Sequence, residues 1–426
     1  MGFHLSQQSV VVSGIGFITS IGCFKASVLE SLLNLKHGLK PITFFDNPSL
    51  PVKLAGTIEG FDLSSPYFQK WKHPDIYSIP KELLRGLPPH GVYAFCAIEQ
   101  ALADAGITTE ELKDERTALY CASAGSAFLL HFHLSEMYRQ KGARGSPFGV
   151  VSTISGTLNF NLGAHYKMRG GNCGFVSACS SSAHALGYAL DQIKLGRVDR
   201  VIVVGAEDIN AESILPFSAM RAMSHQADPC LASCPFDRRR SGFVASGGAV
   251  ALVLENADHV KHRDSIYGEM VDWAQSSDGY SPAISDPEGK GVALSMRQVI
   301  DSVGIKKSQI SYINAHATST VQGDRSEARA ILEVMGDACG GTPVSSTKGL
   351  TGHPLSMAGA METAFCMLAL KKGFIPANAH LQDIDREEMG SIYLPTEITH
   401  QAPNWILKNS SGFGGSNVSL LLKRWN

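Results

Sequence analysis

Short apolar runs alternate with longer segments of helical periodicity along most of the chain. Unbroken runs rich in Val, Ile and Ala are typical of strands buried on both faces, whereas apolar residues three and four positions apart are typical of helices. Strands are predicted at the runs that start at Val10, Thr117, Arg200, Gly247, Gln309, Gly341 and Ile406. Helices are predicted at Tyr93–Ala105, Ser182–Leu195, Val292–Val303, Arg325–Met335 and Ala358–Lys371. The alternation predicts an α/β protein with helices on both faces of its sheets.

The chain of 426 residues is too long for one small core, so two domains or two halves of one unit are expected. The charged stretch ENADHVKHRDSIY, residues 255–267, follows one full set of predicted strands. We therefore place the boundary there, with an N-terminal half at residues 1–256 and a C-terminal half at residues 257–426. A similar order of strands and helices on both sides allows for a diverged duplication.

Charge and cysteine content exclude several classes of function. The formal net charge of −2 provides no basic excess for binding nucleic acid or an anionic membrane. No apolar run approaches the roughly 20 residues that span a bilayer. Nine cysteines without a Cys-x-x-Cys pair favour neither a zinc ribbon nor a disulfide framework. Because the opening MGFHLSQQS has no basic region and no apolar core, no signal peptide is expected, and we predict a cytoplasmic protein.

One cysteine lies where an extended segment changes to helical periodicity, in VSACSSSAHALGYAL from Val176. Cys179 is followed by apolar residues at helical spacing, and Ser180 and Ser181 are candidate N-cap residues. At the positive end of a helix a thiolate is favoured over a thiol, and free backbone N–H groups can bind a developing oxyanion. The alternative is a small buried cysteine that only fills space, which is the commoner situation for cysteines in general.

Two histidines follow apolar strands and stand among small residues. His316 lies in INAHATSTVQGD and His353 in STKGLTGHPLSMAG, where Gly, Ala, Ser and Thr allow a substrate to approach the backbone closely. A single histidine in such a setting is more often structural. Two of them together with Cys179 provide what acyl transfer requires, namely a nucleophile and groups that move protons or stabilise charge. These three residues are therefore the candidate catalytic group.

Together these motifs resemble those of the β-ketoacyl-acyl carrier protein synthases of the type II elongating class, in the thiolase-like superfamily. SACSSSAHA resembles the nucleophile motif of that family, and NAHATST its first histidine motif. STKGLTGHPLSMAG resembles its Lys-x-x-x-Gly-His motif, and SGFGGSN its C-terminal glycine-rich loop. The motifs stand in the family's order and span nearly the whole chain. The resemblance implies a five-layered α-β-α-β-α fold of two similar halves, with the active site between them.

The resemblance also implies a decarboxylative Claisen condensation on acyl carrier protein, as in fatty acid biosynthesis. Cys179 would accept the growing acyl chain, and Lys348 would orient the polar network of the site. His316 and His353 would donate hydrogen bonds to the enolate formed when a malonyl unit loses carbon dioxide. The product would be a 3-oxoacyl chain extended by two carbons. No metal or other cofactor is implied, because the substrates arrive on the phosphopantetheine arm of the carrier protein.

Residues that would bind the substrates follow from the same resemblance. Thr318 and Thr320 match hydroxyls that hold the pantetheine arm. Phe413 matches a gating aromatic whose backbone N–H would complete an oxyanion hole with that of Cys179. Gly125 aligns with a bulkier residue of the acyl pocket, which implies a wider pocket for long or unusual chains.

An acidic pair and a set of cations are implied as well. Asp324 and Glu327 match a pair that supports the polar network, and Glu327 is expected to contact Lys348. The alternative is a solvated first helical turn, where the helix dipole favours acidic side chains. A basic surface would attract an acidic carrier protein, with an ordinary solvated surface as the alternative. The candidate cations are Lys70, Lys72, Lys81, Arg85, Arg238, Arg239 and Arg240.

Other roles within the superfamily are the alternatives. One is a specialised ketosynthase of a secondary lipid, polyene or polyketide pathway, with or without a chain-length-factor-like partner subunit. A non-catalytic chain-length factor is disfavoured because Cys179 is retained. A degradative thiolase is disfavoured by His353 and by the absence of a cysteine from the loop around Phe413. We expect a homodimer formed through the edge of the sheet, with acyl carrier protein as the transient partner.

Overall fold

Strands and helices alternate through both halves of the chain in the computed structural model, which describes residues 8–44, 49–142 and 144–425. The prediction about a signal peptide concerns the start of the chain, of which residues 1–7 lie outside the described part. The strands are β1 (Val10–Ile18), β2 (Leu39–Pro41), β3 (Leu54–Gly56), β4 (Thr117–Ala122), β5 (Asn172–Phe175), β6 (Arg200–Glu207), β7 (Gly248–Asn256), β8 (Gly268–Ser277), β9 (Tyr312–Asn314), β10 (Val344–Ser345), β11 (Trp405–Gly412) and β12 (Ser416–Lys423). The helices are α1 (Lys25–Leu33), α2 (Lys81–Leu84), α3 (Pro89–Ala105), α4 (Ala127–Arg139), α5 (Thr157–His165), α6 (Ser181–Lys194), α7 (Ala211–Ala219), α8 (Pro229–Ala232), α9 (Lys290–Val303), α10 (Val321–Met335), α11 (Lys348–Thr351), α12 (Ala358–Lys372) and α13 (Arg386–Met389).

The large sheet has ten strands in the order β5-β4-β6-β7-β1-β8-β12-β11-β9-β10. In the first half β1 pairs antiparallel with β7 and β7 antiparallel with β6, while β6 and β5 run parallel to β4. In the second half β8, β12, β11, β9 and β10 repeat this order and these directions. Three residue pairs, between Val10–Val12 and Gly268–Met270, join the two halves. The two halves therefore share one topology, as the predicted fold requires.

Helices form the layers on either side of the strands. α6 packs against β4 and β6 of the first half and against β8 and β12 of the second, and α12 likewise contacts β6, β7, β11 and β12. Side chains of both helices, such as Leu186 and Phe365, share one buried apolar cluster. On the outer faces α3 packs against β1 and β7, and α9 packs against β8 and β12. The five-layered α-β-α-β-α arrangement is thus confirmed, with α6 and α12 as its middle layer.

Each predicted strand and helix is present, but the apolar pattern did not reveal every element. The run from Ile406 is not one strand, because β11 and β12 form an antiparallel hairpin that turns at Phe413–Gly415. Elements that were not predicted include α1, β8, α4, α5 and α7. Helix α4 was not predicted although Leu130, Leu134 and Met137 stand at helical spacing. These side chains are exposed, and the helix fully buries only Leu129 among its 13 residues.

Candidate active site

Cys179 lies in the turn between β5 and α6. β5 ends at Phe175 and α6 begins at Ser181, so the predicted change from strand to helix is confirmed. Ala178 has a left-handed backbone with φ +50, which costs a residue with a Cβ about 1–2 kcal/mol. The hydroxyl of Ser181 holds this turn, since it accepts the N–H of Ser177 at 2.8 Å and donates to the carbonyl of Ala178 at 2.6 Å. The strained turn fixes Cys179 at the start of the helix.

The serines after Cys179 do not cap the helix as predicted. Ser180 stands at the N-cap position, but its hydroxyl donates to the carbonyl of Ser177 at 2.8 Å and pairs with the hydroxyl of Ser416 at 3.1 Å, from which it can accept. Ser181 is already the first helical residue and closes the preceding turn. The positive end of α6 is therefore not covered by a capping side chain.

Cys179, His316 and His353 line the same cavity, which has a volume of about 520 Å³. His316 follows Asn314, the last residue of β9, by two positions, and His353 follows the short helix α11. The centroids of the two imidazole rings are 5.2 Å apart, and the rings lie nearly perpendicular at 85°. The fold thus brings the candidate nucleophile of the first half to both histidines of the second half.

Burial keeps both histidines uncharged. The pKa values of His316 and His353 are lowered well below the usual value, first because burial removes water from the imidazolium form. The positive charges of Lys348 and Lys408 act in the same direction. A neutral imidazole retains one N–H donor. Each ring can therefore donate one hydrogen bond to a substrate oxygen at neutral pH.

Burial has the opposite consequence for the nucleophile. Desolvation raises the pKa of the Cys179 thiol to about 12, and the charge of Lys348 opposes this shift only in part. The prediction that the helix terminus produces a resting thiolate is therefore wrong. With this pKa, Cys179 is a thiol at neutral pH in the free protein.

Lys348 lies behind the histidines in a fully buried ion pair. Its Nζ donates to the backbone carbonyl of His316 and binds the carboxylate of Glu362. Both side chains of this pair are 0% exposed. Glu362 also lies 3.0 Å from the Nζ of a second buried lysine, Lys408. The contact predicted between Glu327 and Lys348 is therefore corrected, because Glu362 is the carboxylate that pairs with Lys348.

Glu362 and Lys408 were not predicted from the sequence, although both leave a signal in it. Glu362 lies in AGAMETAFCMLALKK of α12, and Lys408 lies in WILKNSSG of β11. A charge inside an element that is otherwise apolar needs a buried partner of opposite sign. The pattern could therefore have identified two buried charges, but not their pairing.

Asp324 and Glu327 support the backbone of the loop that carries His316. Glu327 accepts the N–H groups of His316 and Ala317 at 2.9 and 2.7 Å. Asp324 accepts the N–H of Ser319 at 3.1 Å. Burial raises the pKa of Asp324 to about 7 and also raises that of Glu327. Both side chains are buried, so the alternative of a solvated helical turn is wrong.

Thr318, Thr320 and Phe413 line the cavity that contains the candidate catalytic group. The hydroxyl oxygens of Thr318 and Thr320 are 3.0 Å apart. Phe413 is 37% exposed, and its ring centroid lies 5.9 Å from that of Phe217. The cavity therefore presents two hydroxyls from the segment between β9 and α10 and a partly exposed aromatic side chain from the β11–β12 hairpin.

Gly125 is not among the residues that line this cavity. It follows β4 with a φ of +87, and a Cβ at this position would lie 2.5 Å from the carbonyl oxygen of Thr153. Backbone conformation and close packing both require glycine here. The assignment of Gly125 to a wider acyl pocket stays a prediction.

The predicted basic surface is only partly available. Arg240 is 4% exposed and lies 2.8 Å from Asp385, and Arg239 binds Asp237 at 2.7 Å. Because these carboxylates neutralise the run, residues 238–240 do not form an open cationic patch. Among the remaining candidates, Lys70, Lys72, Lys81 and Arg85 are exposed.

The described residues contain no group of three or more His, Cys, Asp or Glu side chains placed to hold a metal ion. In the same part of the chain no helix has the length and apolarity of a membrane span. The chemistry that the cavity presents includes a thiol, two neutral imidazoles and hydroxyl groups, and Arg221 and Glu327 also lie in its lining.

Family regions match both halves of the chain. Residues 7–259 match the family described as beta-ketoacyl synthase, N-terminal domain. Residues 267–382 match beta-ketoacyl synthase, C-terminal domain. Together the two regions cover most of the chain.

Named relatives are similar over nearly the whole length. The chain is 34% identical to 3-oxoacyl-[acyl-carrier-protein] synthase 1 of Haemophilus influenzae, over 99% of this chain and 100% of that protein. It is 33% identical to 3-oxoacyl-[acyl-carrier-protein] synthase 1 of Escherichia coli, over 98% of this chain and 99% of that protein.

Solved structures show the same fold. A β-ketoacyl synthase from Burkholderia phymatum superposes with a TM-score of 0.88 at 27% identity, over 98% of this chain and 100% of that one. The ishigamide ketosynthase/chain length factor superposes with a TM-score of 0.87 at 26% identity, over 99% of this chain and 100% of that one. Motifs, identity and fold agree, and the chain belongs to the β-ketoacyl synthase family.

Proposed function

We propose that this protein is a 3-oxoacyl-[acyl-carrier-protein] synthase, an acyltransferase that extends an acyl chain by two carbons in fatty acid biosynthesis. One observation carries the proposal: a half-buried thiol, Cys179, shares a cavity with two uncharged imidazoles, His316 and His353. A thiol can hold an acyl group as a thioester, and paired neutral N–H donors can stabilise an enolate.

The first half-reaction transfers the acyl group from the carrier protein to the enzyme. The sulfur of Cys179 attacks the thioester carbonyl, a new C–S bond forms, and the C–S bond to the carrier breaks. The proton of the thiol passes to the departing carrier thiolate. The backbone N–H groups of Cys179 and Phe413 are assigned to the oxyanion. In support, a Cβ on Gly412 would lie 3.0 Å from the Cys179 nitrogen. The backbone of the β11–β12 hairpin therefore runs close to the nucleophile turn, residues 176–180 between β5 and α6.

The second half-reaction forms the carbon–carbon bond. The malonyl thioester loses carbon dioxide, and the electron pair of the broken bond becomes an enolate whose oxygen accepts the N–H groups of His316 and His353. Each such donor in a water-excluded site lowers the barrier by about 3 kcal/mol. The enolate carbon then attacks the acyl group on Cys179, and the released thiolate takes up a proton from solvent. The 3-oxoacyl product leaves on the carrier.

The remaining residues of the site are assigned to positioning. Lys348 orients the loop of His316 through the backbone carbonyl that it binds, while Glu362 holds the lysine in place. Thr318 and Thr320 are assigned to the pantetheine arm, which fits their place on the cavity wall. The buried carboxylates Asp324 and Glu327 hold the first histidine loop. Phe413 is assigned to gating, which fits its partial exposure.

Acyl carrier protein is the proposed partner, and we assign no cofactor and a cytoplasmic location. The exposed cations of residues 70–85 can attract an acidic carrier surface. A second copy of the chain is proposed to pair at β5, which lies at one end of the sheet and is largely exposed. We place the boundary of the two halves between residues 256 and 257, where β7 has just ended.

A specialised ketosynthase of a secondary lipid, polyene or polyketide pathway is the second candidate. The observation that favours it is the similarity to the ishigamide ketosynthase/chain length factor, which extends over 99% of the chain. The two candidates differ in the acyl chains that they accept and in whether a second subunit is needed for activity.

The decisive experiment locates the acyl group and the chain preference together. Purified protein is incubated with carrier proteins bearing octanoyl to palmitoyl chains, and the acylated peptide is identified by mass spectrometry. We expect acylation on Cys179 and condensation with malonyl-carrier by the protein alone. A need for a second subunit or for unusual acyl chains would favour the second candidate.

The matched variants are Cys179→Gln and Cys230→Gln, the latter at an exposed cysteine. Cys179→Gln is expected to abolish condensation but to retain malonyl decarboxylation, because both histidines are untouched. Cys230→Gln is expected to behave as the wild type. Unaltered condensation by Cys179→Gln, or an acyl group on another residue, would refute the proposed function.

A further inference from the structure

Lys408 is a second fully buried lysine close to the proposed site, and the mechanism above does not use it. It lies in β11 and pairs in register with Asn314 of β9, two residues before His316. Its side chain is 0% exposed, and its Nζ lies 3.0 Å from Oε2 of Glu362. The Nζ also donates to the hydroxyl of Ser410. Lys408 therefore points into the polar cluster behind the histidines.

Lys348 and Lys408 share one carboxylate. Lys348 binds Oε1 of Glu362, and Lys408 faces Oε2 of the same side chain. Burial lowers the pKa of Lys408, and the Glu362 carboxylate opposes this shift. With all three groups ionised, the cluster carries one net positive charge in the interior. Burying an excess charge is costly, and perturbed buried charges are concentrated at functional sites. A second lysine at this position thus calls for a functional reason.

We propose that Lys408 is a positioning residue of the condensation site. By sharing the Glu362 carboxylate it leaves an excess of positive charge behind the two histidines, which favours their donor form and the enolate that they bind. The inference rests on the proposed function, since it assigns Lys408 to the same reaction.

Charged and titratable groups face the two histidines from several elements. Glu327 of α10 accepts a backbone N–H of the first histidine, and Cys179 contributes a thiol from the turn before α6. Glu362 of α12 is paired with Lys348 of α11 and with Lys408. After burial, which has the larger effect, both lysines lower the pKa of each imidazole. The positive charge of Lys408 thus acts on the two imidazoles in the same direction as the charge of Lys348.

Neutralising Lys408 has an effect of known direction. The loss of one positive charge makes each imidazolium easier to form, so the pKa of both histidines rises. The reaction needs neutral N–H donors, so activity falls at low pH, where the imidazoles become charged. With higher pKa values this acid limb of the pH–activity profile lies at a higher pH. We expect the acid limb to move up by roughly 0.5–1 pH unit, the size expected for removal of one nearby buried charge.

The test measures the pH dependence of malonyl-carrier decarboxylation in the Cys179→Gln background, where acyl transfer plays no part. Lys408→Met is compared with Lys408→Arg, which keeps the charge. Lys423→Met makes the same change on the partly exposed partner strand of the hairpin. We expect the acid limb to move in Lys408→Met and to stay in place in the two controls.

An acid limb that stays in place in folded Lys408→Met would overturn the inference. If that variant does not fold, Lys408→Gln replaces it, because its amide can bond to Glu362 and Ser410. Failure of both neutral variants to fold would also overturn the inference, since it would give Lys408 a structural role alone. A complete lack of decarboxylation in the Cys179→Gln background would instead refute the proposed function and the inference with it.

Discussion

Single residues in this site owe their chemistry to desolvation more than to their immediate sequence neighbours. Removal from water lowers the pKa of His316 and His353 and raises that of Cys179 to about 12. The imidazoles are therefore neutral donors, and the sulfur stays protonated until it attacks. Glu362 is the carboxylate that balances the buried lysines behind them.

The shared carboxylate leads to a stability prediction. Glu362→Gln is expected to lower the free energy of unfolding by about 3–5 kcal/mol, because it leaves two buried lysines without a counterion. Lys348→Met is expected to cost less, since Glu362 keeps Lys408 as a partner. Urea unfolding measures both, with the exposed Glu387→Gln as a control that changes stability by less than about 0.5 kcal/mol. Equal losses in the two buried variants would contradict the shared pairing.

Among the elements, the nucleophile turn and the β11–β12 hairpin depend on each other. The turn before α6 is strained at Ala178, and the hairpin backbone lies against it at Gly412. A Cβ on Gly412 would be 2.7 Å from the carbonyl oxygen of Ser177 and 3.0 Å from the nitrogen of Cys179. The φ of Gly412, −128, is available to any residue. Glycine is therefore needed here for the close approach and not for its backbone conformation.

Gly412→Ala is therefore expected to push the hairpin away from the nucleophile turn. Acylation of Cys179 should fall at least about tenfold, which corresponds to a barrier increase of roughly 1.4 kcal/mol. Rapid-quench acylation assays measure this, with Gly341→Ala as the control, since the nearest atom to a Cβ there is 4.0 Å away. Wild-type acylation by Gly412→Ala would show that the close approach has no part in catalysis.

The whole molecule assembles the site from two halves of equal topology. The candidate nucleophile belongs to the first strand set and both histidines to the second, so the cavity exists only when the halves pack through α6 and α12. At the far end of the first set, β5 leaves an open edge. Apolar side chains near this edge are exposed, and they include Ile154, Phe160, Val176 and Tyr188.

If a second copy of the chain pairs at this edge, one substitution there should weaken the dimer. Val176→Asp, at an apolar position 64% exposed next to β5, is expected to convert dimers to monomers by placing a charge in a desolvated contact. Light scattering at micromolar concentration measures the change. Leu294→Asp, on the outer helix α9, makes a similar change away from the edge and should leave the dimer intact. A monomeric wild type would refute the homodimer.

Unbroken apolar segments sufficed for β1, β6 and α12, which bury nearly every side chain, and apolar periodicity sufficed for α6. Helix α4 was not predicted although its apolar residues stand at helical spacing, and the two strands of the β11–β12 hairpin look like one run in the sequence. Motif resemblance led to the candidate nucleophile, to both histidines and to Lys348. The resemblance led to the wrong carboxylate for Lys348. Glu327 is close in sequence to His316, whereas Glu362 reaches Lys348 from another helix.

Local properties of this protein followed from the order of its residues: which segments are strands or helices, and that Cys179 stands where one changes to the other. These depend on spacing and backbone preference over a few neighbouring positions. Ionisation and pairing were decided by the packed structure, as the thiol at Cys179, the carboxylate shared by two lysines and the buried Arg240 show. Desolvation and Coulomb interactions depend on neighbours that come from distant parts of the chain, and folding alone brings those neighbours together.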